Sequence, residues 1–191
     1  MTLILNNEEI EAVFTLEECF DVLEPALRDL GNGSAVSMPR QDLLVPGPLD
    51  ASYHGLKASC ASLPRSGVTT MRLTSDILTW PIVGGRKRRV KVPLAVGSRY
   101  VGLVFVFTTT TGELLAILPD GFIQAIRVGV TNALSAKYMA RPDCSVLAVY
   151  GSGWQARPAV LAMCKIFPIG EIRVCSPTKS KCERFVAEVR E

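Results

Sequence analysis

Gly151-Ser152-Gly153-Trp154-Gln155-Ala156 has the spacing of a loop that holds a dinucleotide pyrophosphate. Each position has a physical reason. Gly151 permits a tight turn out of a strand. Gly153 has no side chain, so its backbone can approach a phosphate closely. Ala156 is small enough for the next helix to pack near that strand. The first N–H groups of such a helix lack intrahelical acceptors and face the anion. A plain strand-to-helix turn would use the same glycines, so the pattern gains its weight from context. Ser152, Trp154 and Gln155 complete the cofactor-facing set, with Trp154 packing over the cofactor or filling core space. Further on comes Ser176-Pro177-Thr178-Lys179-Ser180-Lys181. An acid there would bind a ribose 2′-hydroxyl and favour NAD. Hydroxyls and lysines suit a 2′-phosphate instead, so Ser176, Thr178 and Lys179 favour NADP over NAD.

The elements around the loop supply the context. Ser145–Tyr150 (SVLAVY) is a short apolar strand, followed by the loop and a helix to about Phe167. Pro158 is tolerable in the first turn, where N–H groups are unpaired anyway. Glu171–Cys175 (EIRVC) is a second strand, and a third helix starts near Lys179. This is a β-α-β unit of the expected size. Upstream, Phe122–Ala140 reads as a helix, with Lys137 and Arg141 near its C-terminus, where cations suit the dipole. Before it, Leu3-Ile4 opens a short strand. Glu8–Leu30 reads as helix with a Thr15/Glu18 capping-box pattern inside it, and Pro25 suggests a kink or second helix. Val36–Pro46 is extended. Tyr53–Ser62 and Val68–Leu73 are strands, Pro81–Arg89 is a loop, and Tyr100–Thr108 and Glu113–Leu118 form a hairpin through Thr110–Gly112. The expected fold class is α/β: an α+β domain over 1–121, a connecting helix over 122–141, and the first half of a Rossmann NAD(P)-binding domain over 142–191.

Composition narrows the alternatives. With 48% hydrophobic and 20% charged residues, the chain of 191 residues can bury a real core. A net charge of +3 is too mild to imply nucleic acid. The basic run Arg86-Lys87-Arg88-Arg89 with Lys91 lacks interleaved aromatics and reads as a solvated hairpin loop. The most apolar stretch, Val101–Leu118, is interrupted by Thr108–Glu113, so no membrane span is expected. The N-terminus lacks a basic start and apolar run, so no signal peptide is expected. Six cysteines without a C-x-x-C pair, and a single histidine, give no zinc pattern and suggest reduced thiols in the cytoplasm.

The stretches TGELLAILPDGFIQAIRVGVTNALSAKYMAR (111–141) and LAVYGSGWQAR (147–157) resemble the ornithine cyclodeaminase/mu-crystallin family. The resemblance implies an NAD(P)-dependent protein acting on a small amino acid, keto acid or cyclic imine, as a homodimer through the first domain. That domain would then serve substrate binding and dimerisation. It also implies that Arg40 in MPRQDL, Arg72 in TTMRLTSD and Arg127 in AIRVGV hold a substrate carboxylate, for which a planar guanidinium fork is suited. Arg72 stands where the family typically has a lysine, and Arg stays charged, so it is a poor proton-transfer group. The implied activities are those of an ornithine cyclodeaminase, alanine dehydrogenase or ketimine reductase. The alternatives are a non-catalytic NADPH- or small-ligand-binding protein of mu-crystallin type, or an inactive truncated fragment. The family's later Rossmann strands and catalytic aspartate have no counterpart before Glu191. The expectation is therefore a chain truncated at its C-terminus, inactive alone, with a loosely packed nucleotide half.

Two further residues stand beside these arginines. His54 is either a proton shuttle or a satisfied, partly buried histidine. Asp76 either orients Arg72 or caps a turn.

Overall fold

The computed structural model describes residues 1–92 and 101–190. They group into two compact units, one built from Met1–Ala12 and Ala26–Phe122, the other from Val13–Pro25 and the residues from Ile123 onward.

The first unit is organised by one sheet. Its strands are β1 (Leu3–Ile4), β2 (Val36–Ser37), β3 (Gln41–Pro46), β4 (Tyr53–Leu63), β5 (Val68–Thr79), β8 (Val90–Val92), β9 (Val101–Thr108) and β10 (Leu114–Pro119). The hydrogen-bonded order is β1-β10-β9-β5-β4-β2, with β3 also on β4 and β8 also on β5. Among the described residues of this sheet, only β1 runs parallel to its neighbour, β10. The long β4–β5 hairpin turns at Pro64–Ser66, where Gly67 takes φ +66° and donates its N–H to Pro64 O at 3.0 Å. Burial alternates along this hairpin with the period-two pattern of a strand. Gly55 and Lys57 of β4, and Thr74, Asp76 and Leu78 of β5, are buried on one face.

Several elements differ from their sequence-based expectations for local reasons. The helix expected over Glu8–Leu30, with a kink or second helix at Pro25, is instead divided before Leu16, into α1 (Asn7–Val13) and α2 (Leu16–Gly31). Thr15 Oγ1 accepts the Glu18 N–H at 3.2 Å, and the Glu18 carboxylate accepts the Thr15 N–H at 2.8 Å. That reciprocal box satisfies the free donors of a helix start, so it marks the beginning of α2 rather than its interior. Pro25 lies within α2 and does not end it. β5 continues past Leu73 to Thr79. The loop expected over Pro81–Arg89 contains a two-stranded hairpin, β6 (Ile82–Val83) with β7 (Arg86–Lys87). Gly84 and Gly85 turn it with φ of +59° and +74°, the left-handed pair that a two-residue hairpin requires. Tyr100, expected to open β9, lies outside the described residues.

The second unit holds the β-α-β segment. After α3 (Gly121–Met139) come β11 (Val146–Tyr150), α4 (Ala156–Ile166), β12 (Glu171–Cys175) and α5 (Lys179–Arg190). β11 and β12 pair in parallel from Val146↔Glu171 to Tyr150↔Cys175. The expected α/β class, an α+β part followed by a partial parallel dinucleotide-type unit, is therefore the observed one. Cys19 of α2, Val130, Ala133 and Leu134 of α3, and Ala162 of α4 form the core of this unit. Small residues let the helices come close. A Cβ on Gly129 would lie 2.5 Å from Pro158 O, so α3 meets the α4 backbone directly there. All six cysteines are free thiols.

Candidate functional site

The glycine loop leaves β11 at Tyr150 and enters α4 at Ala156. Gly151 has φ +106°, a conformation L side chains rarely adopt, and donates its N–H to Cys175 O of β12 at 2.7 Å. The loop is thus tied to both strands. Gly153 differs in kind: its φ is unexceptional, and a Cβ there would meet nothing within 4 Å. Its missing side chain leaves open space rather than relieving a clash inside the fold. Ser152 Oγ donates to Ser176 Oγ at 3.0 Å, which joins the loop to the end of β12. Gln155 Oε1 is buried and, among the described residues, is the buried side-chain oxygen or nitrogen with no hydrogen-bond partner. A buried acceptor left in this way is costly and expects a donor from something outside the chain. Trp154 is 58% exposed, so it does not fill the core. Thr178 precedes α5, and Lys179 lies 3.8 Å from Glu183, one turn on, with its side chain 90% exposed. The uncrowded Gly153 leaves room for a pyrophosphate at the start of α4, and the Gln155 acceptor suits a donor such as a ribose hydroxyl of the same dinucleotide.

The first unit carries a second concentration of charge on one sheet face. Arg72 of β5 donates from Nε to Asp120 Oδ1 at 2.8 Å and from the terminal nitrogen to Oδ2 at 2.6 Å. Asp120 follows β10 and is almost fully buried. It fits because Gly102 of β9 has no side chain; a Cβ there would lie 2.9 Å from the Asp120 Cβ. Two residues further along β5 is Thr74, and two further is Asp76. Lys57 of β4 stands opposite Thr74 in the register and hydrogen-bonds Asp76; the two side chains are 7% and 1% exposed. Lys91 of β8 reaches the other Asp76 oxygen at 2.9 Å. Burial pushes the Asp76 carboxyl up, but the hydrogen bonds and charges of Lys57 and Lys91 outweigh it and hold the pKa below the ordinary carboxylate value.

Asp76 therefore does not orient Arg72. Residues i and i+4 of a strand share a face but lie roughly 13 Å apart, so Arg72 takes Asp120 instead. His54, on the opposite face, shares a hydrogen bond of 2.9 Å with Ser75 Oγ. Arg40 just precedes β3 and grips Asp42 with both ends of its fork, at 2.6 and 2.9 Å, on the surface. Arg127 is half-buried on α3, in the unit that carries the glycine loop. Its charge pulls the Cys19 thiol down, but burial prevails and pushes that thiol up to about 11. Cys19 is thus a core group and no nucleophile. The sequence reading named Arg72 but missed Lys57 and Asp120. The available signal for Lys57 was a lone lysine inside YHGLKASCASL, a strand otherwise without charge.

A glycine loop between parallel strands, preceded by an antiparallel domain with cationic residues, defines a dinucleotide-binding class of protein. A sequence model of the ornithine cyclodeaminase/mu-crystallin family matches residues 74–191, and the chain belongs to that family. It is 26% identical to an alanine dehydrogenase of Archaeoglobus fulgidus, across 97% of this chain and 52% of that protein. In structure it is similar to an archaeal alanine dehydrogenase dimer with bound NAD, with a TM-score of 0.81 and 25% identity over 99% of this chain and 53% of that one. The fold is also that of the Thermococcus litoralis Δ1-pyrroline-2-carboxylate reductase, with a TM-score of 0.78 and 21% identity over 98% of this chain and 53% of that one. The chain thus spans about half the length of these relatives. Among the described residues no helix is long and apolar enough to cross a membrane.

Proposed function

We propose that this chain holds a nicotinamide dinucleotide and a small amino acid or its imine, as part of an NAD(P)-dependent oxidoreductase. The observation that carries the reading is the strand–loop–helix–strand at Tyr150–Cys175, with open space at Gly153 and an orphaned acceptor on Gln155. The backbone of Gly151–Ala156 and the first turn of α4 would receive the pyrophosphate. Ser176, Thr178 and Lys179 would receive a 2′-phosphate, which makes NADP the preferred form. The bound nicotinamide supplies the hydride donor or acceptor. The substrate carboxylate falls to the arginines. Asp120 occupies one edge of the Arg72 guanidinium, and the other edge keeps its own N–H donors. Arg40 would contribute after releasing Asp42, and Arg127, on α3, is the remaining candidate for a carboxylate contact.

Similarity to an alanine dehydrogenase dimer supports a homodimer formed through the first unit. The fully exposed strand β3, with Leu43, Leu44 and Val45 uncovered, suits such a contact. Free thiols throughout suit a cytoplasmic setting. The test is a panel of amino acids, keto acids plus amines, and cyclic imines, run on the complete gene product and followed at the nicotinamide absorbance band, together with NADPH and NADH binding. Binding with turnover of at least one panel member is expected. Neither binding nor turnover would overturn the reading.

A further inference from the structure

Lys57 lies on the Arg72 face of the sheet, yet the carboxylate reading gives it no role. Its side chain is 7% exposed, and among the described residues its hydrogen-bond acceptor is Asp76 alone. One carboxylate oxygen satisfies one N–H of an ammonium that has others to place. Burying a Lys–Asp pair is also a poor way to stabilise a sheet. The desolvation cost of two ions is so large that apolar residues of similar size commonly do as well or better. A buried cation with donors left over, beside a second cation with an open edge, calls for an acceptor from outside the chain.

The register says which part of a ligand it would meet. Arg72, Thr74 and Asp76 follow one another on one face of β5, and Lys57 stands opposite Thr74 and leans to Asp76. Same-face neighbours on a strand are roughly 6.7 Å apart. Lys57 is therefore displaced along the sheet from the open edge of Arg72 by about the length of a small acid. A group held there is the far end of the substrate, not its carboxylate. The local charge then decides the chemistry of that end. Asp76 already accepts from Lys57 and, at 2.9 Å, from Lys91. An incoming ammonium would face these two cations across a carboxylate that is already engaged. An incoming carboxylate or carboxamide oxygen would meet donors.

Resting on the reading that Arg72 holds the substrate carboxylate, we propose that Lys57 is a specificity-determining residue. Its ammonium meets an oxygen at the far end of an aspartate- or glutamate-sized 2-amino, 2-imino or 2-oxo acid. The site thereby prefers diacids to acids with an apolar side chain and rejects diamino acids. Asp76 is the positioning residue that fixes the ammonium.

The experiment titrates the whole 191-residue chain, with and without NADPH, with L-aspartate, L-glutamate, L-alanine and L-ornithine by calorimetry. One of the diacids should bind roughly tenfold tighter than L-alanine, the size of one charge-assisted hydrogen bond, and L-ornithine should bind more weakly than L-alanine. The control is the double variant Lys57→Met with Asp76→Leu, which removes the ion pair without leaving a lone buried charge. It should keep its circular dichroism spectrum, while the diacid preference over L-alanine collapses to within about twofold. A diacid preference that survives the double variant overturns the role of Lys57. L-alanine or L-ornithine binding as tightly as the diacids overturns it too and leaves the amino-acid reading standing. No binding of any of the four overturns both.

Discussion

Gly129 offers a test in which two ordinary rules give opposite signs. On an exposed helix, Gly→Ala gains about 1 kcal/mol from helix propensity. At Gly129 a Cβ would lie 2.5 Å from Pro158 O, 2.6 Å from Pro158 C and 3.0 Å from Ala159 N. All three are backbone atoms of α4, so no side chain can swing away. Moving from 2.5 Å to an ordinary contact of about 3.4 Å requires α4 to retreat by roughly 0.9 Å. That retreat opens the interface at Val130, Ala133 and Ala162, which are essentially inaccessible to solvent. A gap of this width forfeits a quarter to a half of each dispersion contact across it, and an extra methyl in a packed core typically costs about 1–3 kcal/mol. The propensity gain offsets about 1 kcal/mol of this, leaving Gly129→Ala destabilising by up to about 2 kcal/mol. Because α4 carries the end of the glycine loop, nucleotide binding should weaken as well. Urea unfolding followed by far-ultraviolet circular dichroism measures the first effect, as a lower midpoint at unchanged slope. An unchanged or raised midpoint would show that α3 and α4 do not meet at backbone distance, and the packing argument would fail.

Three further outcomes follow from the same geometry. Gly153→Val should leave the unfolding free energy within about 0.5 kcal/mol of the parent, as for a surface change, because its Cβ points into open space, while NADPH and NADH binding are both lost; fluorescence titration decides, and retained binding refutes the cradle. Asp76 has a lowered folded-state pKa, so its stabilisation is complete above the ordinary carboxylate value of 3.8 and disappears as pH falls through the lower folded value. The stability gap between the parent and Asp76→Asn should therefore be widest at neutral pH and close in acid; a gap that is flat across pH refutes the assignment. NADPH should bind about fivefold tighter than NADH at low salt, the worth of one exposed charge pair, and the ratio should fall towards unity with added salt and in Lys179→Ala; a preference for NADH removes the 2′-phosphate assignment.

The nucleotide half was legible because its signals are local. An apolar strand, glycines at fixed offsets and a second apolar strand all lie within one short stretch, and β12 falls at Glu171–Cys175 as read. The first unit was less legible because its chemistry depends on register. The Arg72 partner is 48 residues away in sequence and the Lys57 partner 19, and nothing in the chain announces either pairing. Asp76 was considered for Arg72 because it lies nearby in sequence. In an extended strand that nearness means distance, whereas on a helix the same spacing would have brought the groups together. Thr15 and Glu18 show the converse. Their pattern was read correctly as a capping box but placed inside a helix, because hydrophobic periodicity runs through Phe14 and Thr15 without a break that composition alone can show.

The two proposed sites would address anions by different physics, and this explains why one was easier to find. A pyrophosphate at Gly151–Ala156 would be met by backbone N–H groups, whose positions follow from where glycine stands and where a helix begins. Such a site needs no charged side chain, and the loop has none. The sheet face uses full charges, and each comes with an internal counter-ion: Asp120 for Arg72, Asp76 for Lys57. Those counter-ions keep the cations folded and in place before any ligand arrives, and they determine which edge or donor of each cation remains for one. Asp120 thus decides how Arg72 would present itself to a carboxylate, and Gly102 decides whether Asp120 can stand there at all. Any side chain at Gly102 would push Asp120 away from Arg72 and release the whole guanidinium. Substitution there should therefore alter carboxylate affinity without touching a cation.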